Sequence, residues 1–164
     1  MIKKIILAAL IFVGTIQAVA RADVFKHGQV IRLFNLSNSE GTRLLNGWTT
    51  IGKVGLVVSS KASGTAWRVH RIGPDVVALQ CLGDKNGARW LNGYTTIGKV
   101  KLSSKPKEDS GTRWRVHREG GALILQCLGH VDGLRFLNGL TPQGEVELVS
   151  QLDGVSSARW RVVR

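Results

Sequence analysis

The chain has 164 residues, of which 23 are Lys or Arg and 11 are Asp or Glu, so its formal net charge is +12 at pH 7. This length provides a substantial core for one domain and excludes a second. The basic charge favours anionic partners such as acidic polysaccharides, nucleic acids or phospholipid headgroups, although it also serves solubility.

The first 22 residues have the pattern of a secretory signal peptide. Lys3 and Lys4 form the charged start, residues 5–19 form the apolar stretch, and Ala20-Arg21-Ala22 offers a cleavage site. An uncleaved anchor is the alternative. Cleavage near Ala22 lowers the charge of +12 by three, to +9, and leaves residues 23–164 as a single domain. We therefore expect a secreted or periplasmic, monomeric protein without integral membrane association.

The remaining chain consists of three copies of a unit of about 46 residues. Asn-Gly pairs recur at intervals of 46 residues, at Asn46, Asn92 and Asn138. A Trp-Arg-Val string also recurs, beginning at Trp67, Trp114 and Trp160. The copies cover residues of about 30–75, 76–121 and 122–164. Function should then lie at positions that change between copies, because the shared positions specify the scaffold.

Each copy carries four short strand patterns, which makes twelve strands in all. Apolar runs at residues 30–36, 76–82 and 122–128 predict one strand per copy, and the alternating Gly-x-Val-x-Leu string predicts another. Glycines and Asn-Gly pairs mark the turns, and no amphipathic helix is evident. The class is therefore all-β, with the three repeated tryptophans predicted to lie in the core rather than to bind sugar.

Periodicity alone leaves a β-trefoil and a β-prism open. The stretch Arg-x-Leu-Asn-Gly-x-Thr-x-x-Gly-x-Val-x-Leu, which begins at Arg43, Arg89 and Arg135, resembles the second and third strands of β-trefoil proteins, among them the ricin-type lectins. The resemblance covers residues 28–164 and implies a six-stranded barrel capped by three hairpins. The ricin-type Gln-x-Trp signature is absent, because Thr65, Thr112 and Ala158 stand two residues before the tryptophans.

One candidate ligand position follows the Asn-Gly pair and holds a different side chain in each copy. It is occupied by Trp48, Tyr94 and Leu140. An exposed aromatic ring here could stack on a sugar, or it could cap the barrel.

A second candidate position lies in the loop before the hairpin. Glu40, Asn86 and Asp132 are equivalent there, and each precedes a glycine, which is ordinary turn chemistry. In ricin-like lectins this loop supplies the acid that binds sugar hydroxyls. The nearby Asp84 and His130 add hydrogen-bonding groups. We therefore predict two shallow pockets, one formed by Asp84 with Asn86 and the other by His130 with Asp132.

The alternative hypothesis is a surface that binds a polyanion or another protein. Its residues alternate with the predicted core positions of the Trp-Arg-Val strands and are Arg68, His70, Arg115, His117 and Arg161. Lysines 99, 101, 105 and 107 form a second basic cluster.

The remaining chemistry points to binding rather than catalysis. Cys81 and Cys127 occupy equivalent positions, which favours two buried free thiols over a disulfide. The four histidines are too dispersed for a metal site, and no cofactor motif or pair of catalytic carboxylates is evident. The sequence thus predicts a lectin-like, non-catalytic module that recognises a carbohydrate.

Overall fold

The computed structural model describes residues 25–84, 86–106, 109–130 and 133–163. The predicted signal peptide lies outside these ranges. Within them, no helix has the length and apolarity needed to cross a bilayer. The strands are β1 (Val30–Asn35), β2 (Leu44–Trp48), β3 (Lys53–Val57), β4 (Trp67–Arg71), β5 (Val76–Cys81), β6 (Trp90–Tyr94), β7 (Lys99–Ser103), β8 (Trp114–Glu119), β9 (Ala122–Cys127), β10 (Phe136–Leu140), β11 (Glu145–Val149) and β12 (Trp160–Val163). Short 3₁₀ helices lie at Ser63–Thr65, Ser110–Thr112 and Ser156–Ala158.

The described residues therefore confirm the all-β class and the predicted four strands per copy. The three apolar runs form β1, β5 and β9, and each of these strands ends within one residue of its predicted end. Alternation of buried and outward side chains is clearest in β1, where Ile31 and Leu33 are buried while Arg32 and Phe34 are partly exposed. This alternation directs the apolar side chains of each strand into one shared core.

All twelve strands belong to one antiparallel sheet that closes on itself. Six of them, in the order β1, β12, β9, β8, β5 and β4, form a ring, because β4 pairs with β1. The hairpins are β2 with β3, β6 with β7 and β10 with β11, and they join the ring through β1, β5 and β9. The registers at these junctions are Phe34 with Leu44, Gln80 with Trp90, and Gln126 with Phe136.

This pairing corrects the β-trefoil prediction, which treated the hairpins as a cap on a separate six-stranded barrel. The hairpins instead continue the sheet of the ring, and β3 and β11 both pair with β7. The fold is a closed antiparallel β-barrel of twelve strands, not the predicted β-trefoil. The physical reason is that hairpins paired on both sides leave fewer open sheet edges than a separate cap would.

The core is centred on the three repeated tryptophans, as predicted. Trp67, Trp114 and Trp160 are each completely buried. Their indole N–H groups donate to the carbonyl oxygens of Leu45, Leu91 and Leu137 at 3.0, 3.0 and 2.9 Å. Each tryptophan therefore anchors a hairpin of its own copy to the ring, with its buried polar atom satisfied.

Both cysteines are buried and free, which confirms the prediction of thiols. Cys81 Sγ lies 3.5 Å from the carbonyl oxygens of Gly47 and Gly64. Asn35 takes the equivalent place in the first copy, where its Nδ2 donates to Ser157 O at 2.7 Å. Each of these side chains joins the first strand of one copy to the preceding copy around the barrel, so this position is structural.

Candidate functional site

The predicted ligand residues meet where the hairpin of one copy contacts a loop of the next. Thr49 Oγ1 donates to Asp84 O at 3.1 Å, and Thr95 Oγ1 donates to His130 O at 3.3 Å. Thr141 Oγ1 likewise donates to Ser39 O at 3.3 Å. We call these contacts the first, second and third seams. Each seam joins the hairpin that carries the candidate aromatic position of one copy to the loop that carries the candidate polar position of the following copy.

The glycine after each candidate loop position makes this approach possible. Gly41, Gly87 and Gly133 have φ values of +127°, +98° and +116°. A Cβ atom at any of them would overlap the carbonyl oxygen of the threonine across the seam. The close backbone contact therefore explains why each copy has a glycine here. It places no such requirement on the polar residue before the glycine, which differs between the copies.

The second seam contains a shallow cavity of about 260 Å³. Tyr94, Asp109 and His130 provide its principal side chains, with Thr96 and Ser110 beside them. Tyr94 is 41% exposed, and His130 is exposed as well. The cavity thus combines an accessible aromatic ring with an imidazole and a carboxylate, which can exchange hydrogen bonds with hydroxyl groups.

Sequence reasoning missed Asp109. Its side chain is held by Ser103, whose hydroxyl donates to Asp109 Oδ2. Its backbone carbonyl also accepts from Thr112 Oγ1 at 2.7 Å. Ala62 and Val155 hold the equivalent positions before the other two 3₁₀ helices. A comparison of the three copies in the sequence could have identified Asp109, because it is an acid at a position where the other two copies carry apolar residues.

The first seam is built on the same backbone but directs its aromatic ring elsewhere. Trp48 is only partly exposed, and its ring lies so close to Gly55 that a Cβ atom there would be 3.1 Å from Trp48 Cζ3. Lys53 Nζ lies 5.7 Å from the centre of that ring. Trp48 thus covers its own hairpin, consistent with the capping alternative, whereas Tyr94 lines a cavity.

The remaining predicted loop residues lie at the first and third seams, except for one that the structure does not describe. Asp84 and Asn86 are both exposed on the loop of the first seam, where the threonine bond uses only the backbone of Asp84. Glu40 is exposed beside the third seam, whose hairpin supplies Leu140 and no aromatic ring. Asp132 lies outside the described residues. The structure therefore assembles an aromatic ring with hydrogen-bonding side chains most completely at the second seam.

The residues of the polyanion alternative are spread around the barrel wall. Arg68, Arg115 and Arg161 lie on β4, β8 and β12, and another strand of the ring separates each of these strands from the next. Arg161 is stacked 4.6 Å above the ring of Phe34. His70 and His117 bond to Gln80 and Gln126, at 3.0 and 2.9 Å. The structure does not gather these side chains into one groove.

A second cavity, which the sequence did not predict, lies on the barrel wall. This wall cleft of about 510 Å³ is lined by His117, Gln126, Phe136 and Asp153 and by the ion pair of Arg159 with Glu119, whose atoms are 3.0 Å apart. In the second copy Trp90 takes the place of Phe136, and its ring packs 4.8 Å from that of His70. A larger ring therefore fills the equivalent place beside His70 in the second copy.

Two further kinds of site were considered for the described residues, a metal site and a reactive thiol. Over the described ranges, no three metal-ligating side chains form a group. Burial raises the pKa of the Cys81 and Cys127 thiols above its ordinary value. Both cysteines are therefore protonated at neutral pH, the less nucleophilic state.

No protein-family model and no curated protein sequence matches the chain. Solved structures do match. Cry35Ab1 has a TM-score of 0.66 at 16% identity over 85% of this chain. SeviL bound to asialo-GM1 saccharide has a TM-score of 0.61 at 15% identity over 85% of this chain. A Polyporus squamosus lectin bound to Neu5Aca2-6Galb1-4GlcNAc has a TM-score of 0.62 at 14% identity over 84% of this chain.

The chain matches these proteins over very different shares of their length. It spans 36% of Cry35Ab1, 49% of the Polyporus squamosus lectin and 98% of SeviL. At such low identity the likeness concerns the fold alone. The chain therefore shares its fold with a lectin and with a protein solved in complex with a saccharide.

Proposed function

We propose that this protein is an exported, non-catalytic carbohydrate-binding protein that recognises a saccharide at the second seam. The observation that carries the proposal is the shared cavity of Tyr94, Asp109 and His130. Two proteins of the same fold, SeviL and the Polyporus squamosus lectin, are described with bound saccharides. Their likeness to this chain supports a saccharide as the class of ligand, and the residues of the second seam support that seam as the binding site.

The chemistry of the second seam suits a sugar ring. One face of a pyranose is apolar and can stack on the exposed ring of Tyr94, while its edge carries hydroxyl groups. Asp109 accepts hydrogen bonds from hydroxyls, and the imidazole of His130 can donate or accept. A few polar groups around an aromatic surface are sufficient to orient a small ligand.

Among the residues that the structure describes, only the second seam combines these groups in one cavity, so it is favoured over the other two. In the first seam the ring of Trp48 lies against Gly55, and in the third seam Leu140 replaces the aromatic ring. We therefore propose one principal site per chain, with Asp84 and Asn86 at the first seam as a weaker second site.

Export and the absence of catalysis are part of the same proposal. Export is supported by the charged start, the apolar stretch and the Ala-Arg-Ala site of the first 22 residues. A non-catalytic role is supported by the shallowness of the seam, since hydrolytic reactions usually need a cleft that excludes water.

A glycan array followed by calorimetric titration tests the proposal. We expect the protein to bind a subset of immobilised saccharides. The best of these should bind Tyr94→Ala about tenfold more weakly, because truncation of an aromatic anchor typically costs more than about 1 kcal/mol. Asp109→Asn and His130→Ala should each weaken binding by a smaller factor.

Ile72→Ala is the matched control, because Ile72 is also an exposed apolar side chain, at 53%, but lies in the turn between β4 and β5. It should bind like the unmodified protein. An array without any bound saccharide would refute the proposal, and equal affinities of Tyr94→Ala and the control would refute its site.

A further inference from the structure

A third cavity lies where the three hairpins meet. This axial bowl of about 470 Å³ is bounded by β3, β7 and β11 and by two of the hairpin turns. Its charged lining consists of Lys53, Lys99, Lys101, Glu145 and Glu147. The bowl shares no lining residue with the second seam. Its chemistry is therefore separate from the proposed saccharide site.

Two lysines of the bowl face each other in an unfavourable arrangement. Lys53 on β3 is directly opposite Lys101 on β7. Like charges in this cross-strand position destabilise a sheet. Lys53, Lys99 and Lys101 are all exposed, and none of them forms an ion pair with a residue that the structure describes. An anionic group in the bowl would relieve this repulsion.

Exposed isoleucines stand beside these lysines. Ile51 is 71% exposed and Ile97 is 62% exposed, and both line the bowl from equivalent turns of the first and second hairpins. A free anion would leave both side chains in water. A lipid bilayer would bury them while placing its headgroups against the lysines, and that combination is typical of interfacial binding.

The third hairpin lacks both features. Gln143 replaces the isoleucine, and Glu145 and Glu147 replace the basic and neutral residues of the first hairpin. Glu147 lies opposite Lys99 and accepts from Asn138 Nδ2 at 3.2 Å. The cationic and apolar surface of the bowl is therefore confined to the side formed by the first two hairpins.

We propose that the side of the axial bowl formed by Ile51, Lys53, Ile97, Lys99 and Lys101 docks on an anionic phospholipid surface. The lysines contact the headgroup phosphates, and the two isoleucines enter the interface between headgroups and acyl chains. This surface would hold the protein at a membrane while the second seam remains available.

Co-sedimentation with vesicles tests this proposal. The protein should bind phosphatidylcholine vesicles that contain phosphatidylglycerol much more strongly than vesicles of phosphatidylcholine alone. Lys53→Gln combined with Lys101→Gln should lower the partition coefficient about tenfold or more, because each lysine near an anionic surface typically contributes about 1 kcal/mol. Ile51→Ser combined with Ile97→Ser should also weaken binding, while leaving its dependence on salt in place.

The matched control is Lys26→Gln combined with Lys61→Gln, which removes the same charge from exposed positions that do not line the bowl. It should bind much like the unmodified protein. Because the residues before position 25 are the same in every variant, they cannot produce a difference between them.

Two results would overturn the proposal. One is equal vesicle binding by the bowl variants and the control. The other is saturable binding of inorganic phosphate in the bowl without any vesicle binding, which would make the bowl a site for a free anion. The urea midpoint of the Lys53→Gln, Lys101→Gln variant should not fall, which distinguishes lost binding from lost folding.

Discussion

The first and second hairpins have nearly the same sequence, yet they present their aromatic residues differently. Trp48 lies against Gly55, whereas Tyr94 lines the cavity of the second seam. The position equivalent to Gly55 is Lys101 in the second hairpin. A lysine side chain needs space that a glycine leaves free, so we expect this difference to affect how closely each aromatic ring can approach the neighbouring strand.

We infer that the residue on the neighbouring strand, Gly55 or Lys101, determines whether the aromatic ring packs on its own hairpin or faces the seam. Substitutions at the first seam and at this position test that inference.

Gly87→Ala should break the first seam. The new Cβ atom would overlap the Thr49 carbonyl oxygen and would strain a residue whose φ is +98°. We expect the free energy of unfolding to fall by about 3 kcal/mol, from overpacking and from the unfavourable backbone conformation together. Urea unfolding followed by circular dichroism measures this loss.

Gly28→Ala separates the two causes, because Gly28 also has a positive φ, +79°, but no atom lies within 4 Å of the place that a Cβ atom would take there. It should lose only about 1 kcal/mol. Equal losses for the two variants would show that the close approach at the seam contributes nothing.

Gly55→Lys should convert the first hairpin into a copy of the second. The added Cβ atom would lie 2.7 Å from Gly144 O and 3.1 Å from Trp48 Cζ3, so the Gly144 carbonyl and the indole would both have to shift, and the rest of the lysine side chain would compete with the indole for space. We expect a loss of about 2 kcal/mol in stability and greater quenching of tryptophan fluorescence by acrylamide. Unchanged quenching would mean that Gly55 does not determine the position of the ring.

The reciprocal change, Lys101→Gly, should let Tyr94 lie against β7. Its predicted consequence is weaker saccharide binding without the removal of any group from the cavity. Calorimetric titration compares the loss of saccharide affinity in Lys101→Gly with the loss in Tyr94→Ala. An unchanged affinity of Lys101→Gly would show that Lys101 does not determine the position of the Tyr94 ring.

The smallest effect concerns pH and the two thiols behind these hairpins. Burial raises the pKa of Cys81 and Cys127 above the ordinary value of 9.0. The unfolded chain then loses thiol protons at a lower pH than the folded chain does. The stability contributed by the neutral thiols is complete below pH 9.0 and declines as pH rises through and above that value.

Urea unfolding at a series of pH values from neutral to alkaline measures this decline. A variant with both Cys81→Ser and Cys127→Ser is the control, since serine does not ionise in this range. Its stability should fall less steeply with pH than that of the unmodified protein. Parallel curves would contradict an effect of the buried thiols.

The sequence predicted those features that each copy specifies by itself. Strand patterns, the glycines of the hairpin turns and the burial of Trp67, Trp114 and Trp160 depend on local sequence and recur three times. The prediction that the Asn-Gly pairs mark turns was wrong, because all three pairs lie within β2, β6 and β10 and are paired there with β3, β7 and β11. The closure of the sheet was predicted wrongly, because pairing of a hairpin with the ring depends on contacts between distant strands. A resemblance in two strands carries no information on that pairing.

The candidate site was predicted only in part, for a similar reason. His130 and Tyr94 were identified separately, but the seam that joins them is a contact between copies. Asp109 was missed because its importance is visible only beside Ala62 and Val155 at the equivalent positions. The wall cleft also escaped prediction, because its lining residues, among them His117, Phe136 and Asp153, come from separate parts of the chain.

The most direct test of the central claim follows the backbone amide resonances while the strongest array saccharide is added. We expect shifts at Gly93, Tyr94 and His130, with much smaller shifts at the equivalent Gly47 and Trp48. Shifts centred on His117 and Gln126 of the wall cleft, or of equal size at Trp48 and Tyr94, would show that the saccharide does not bind specifically at the second seam.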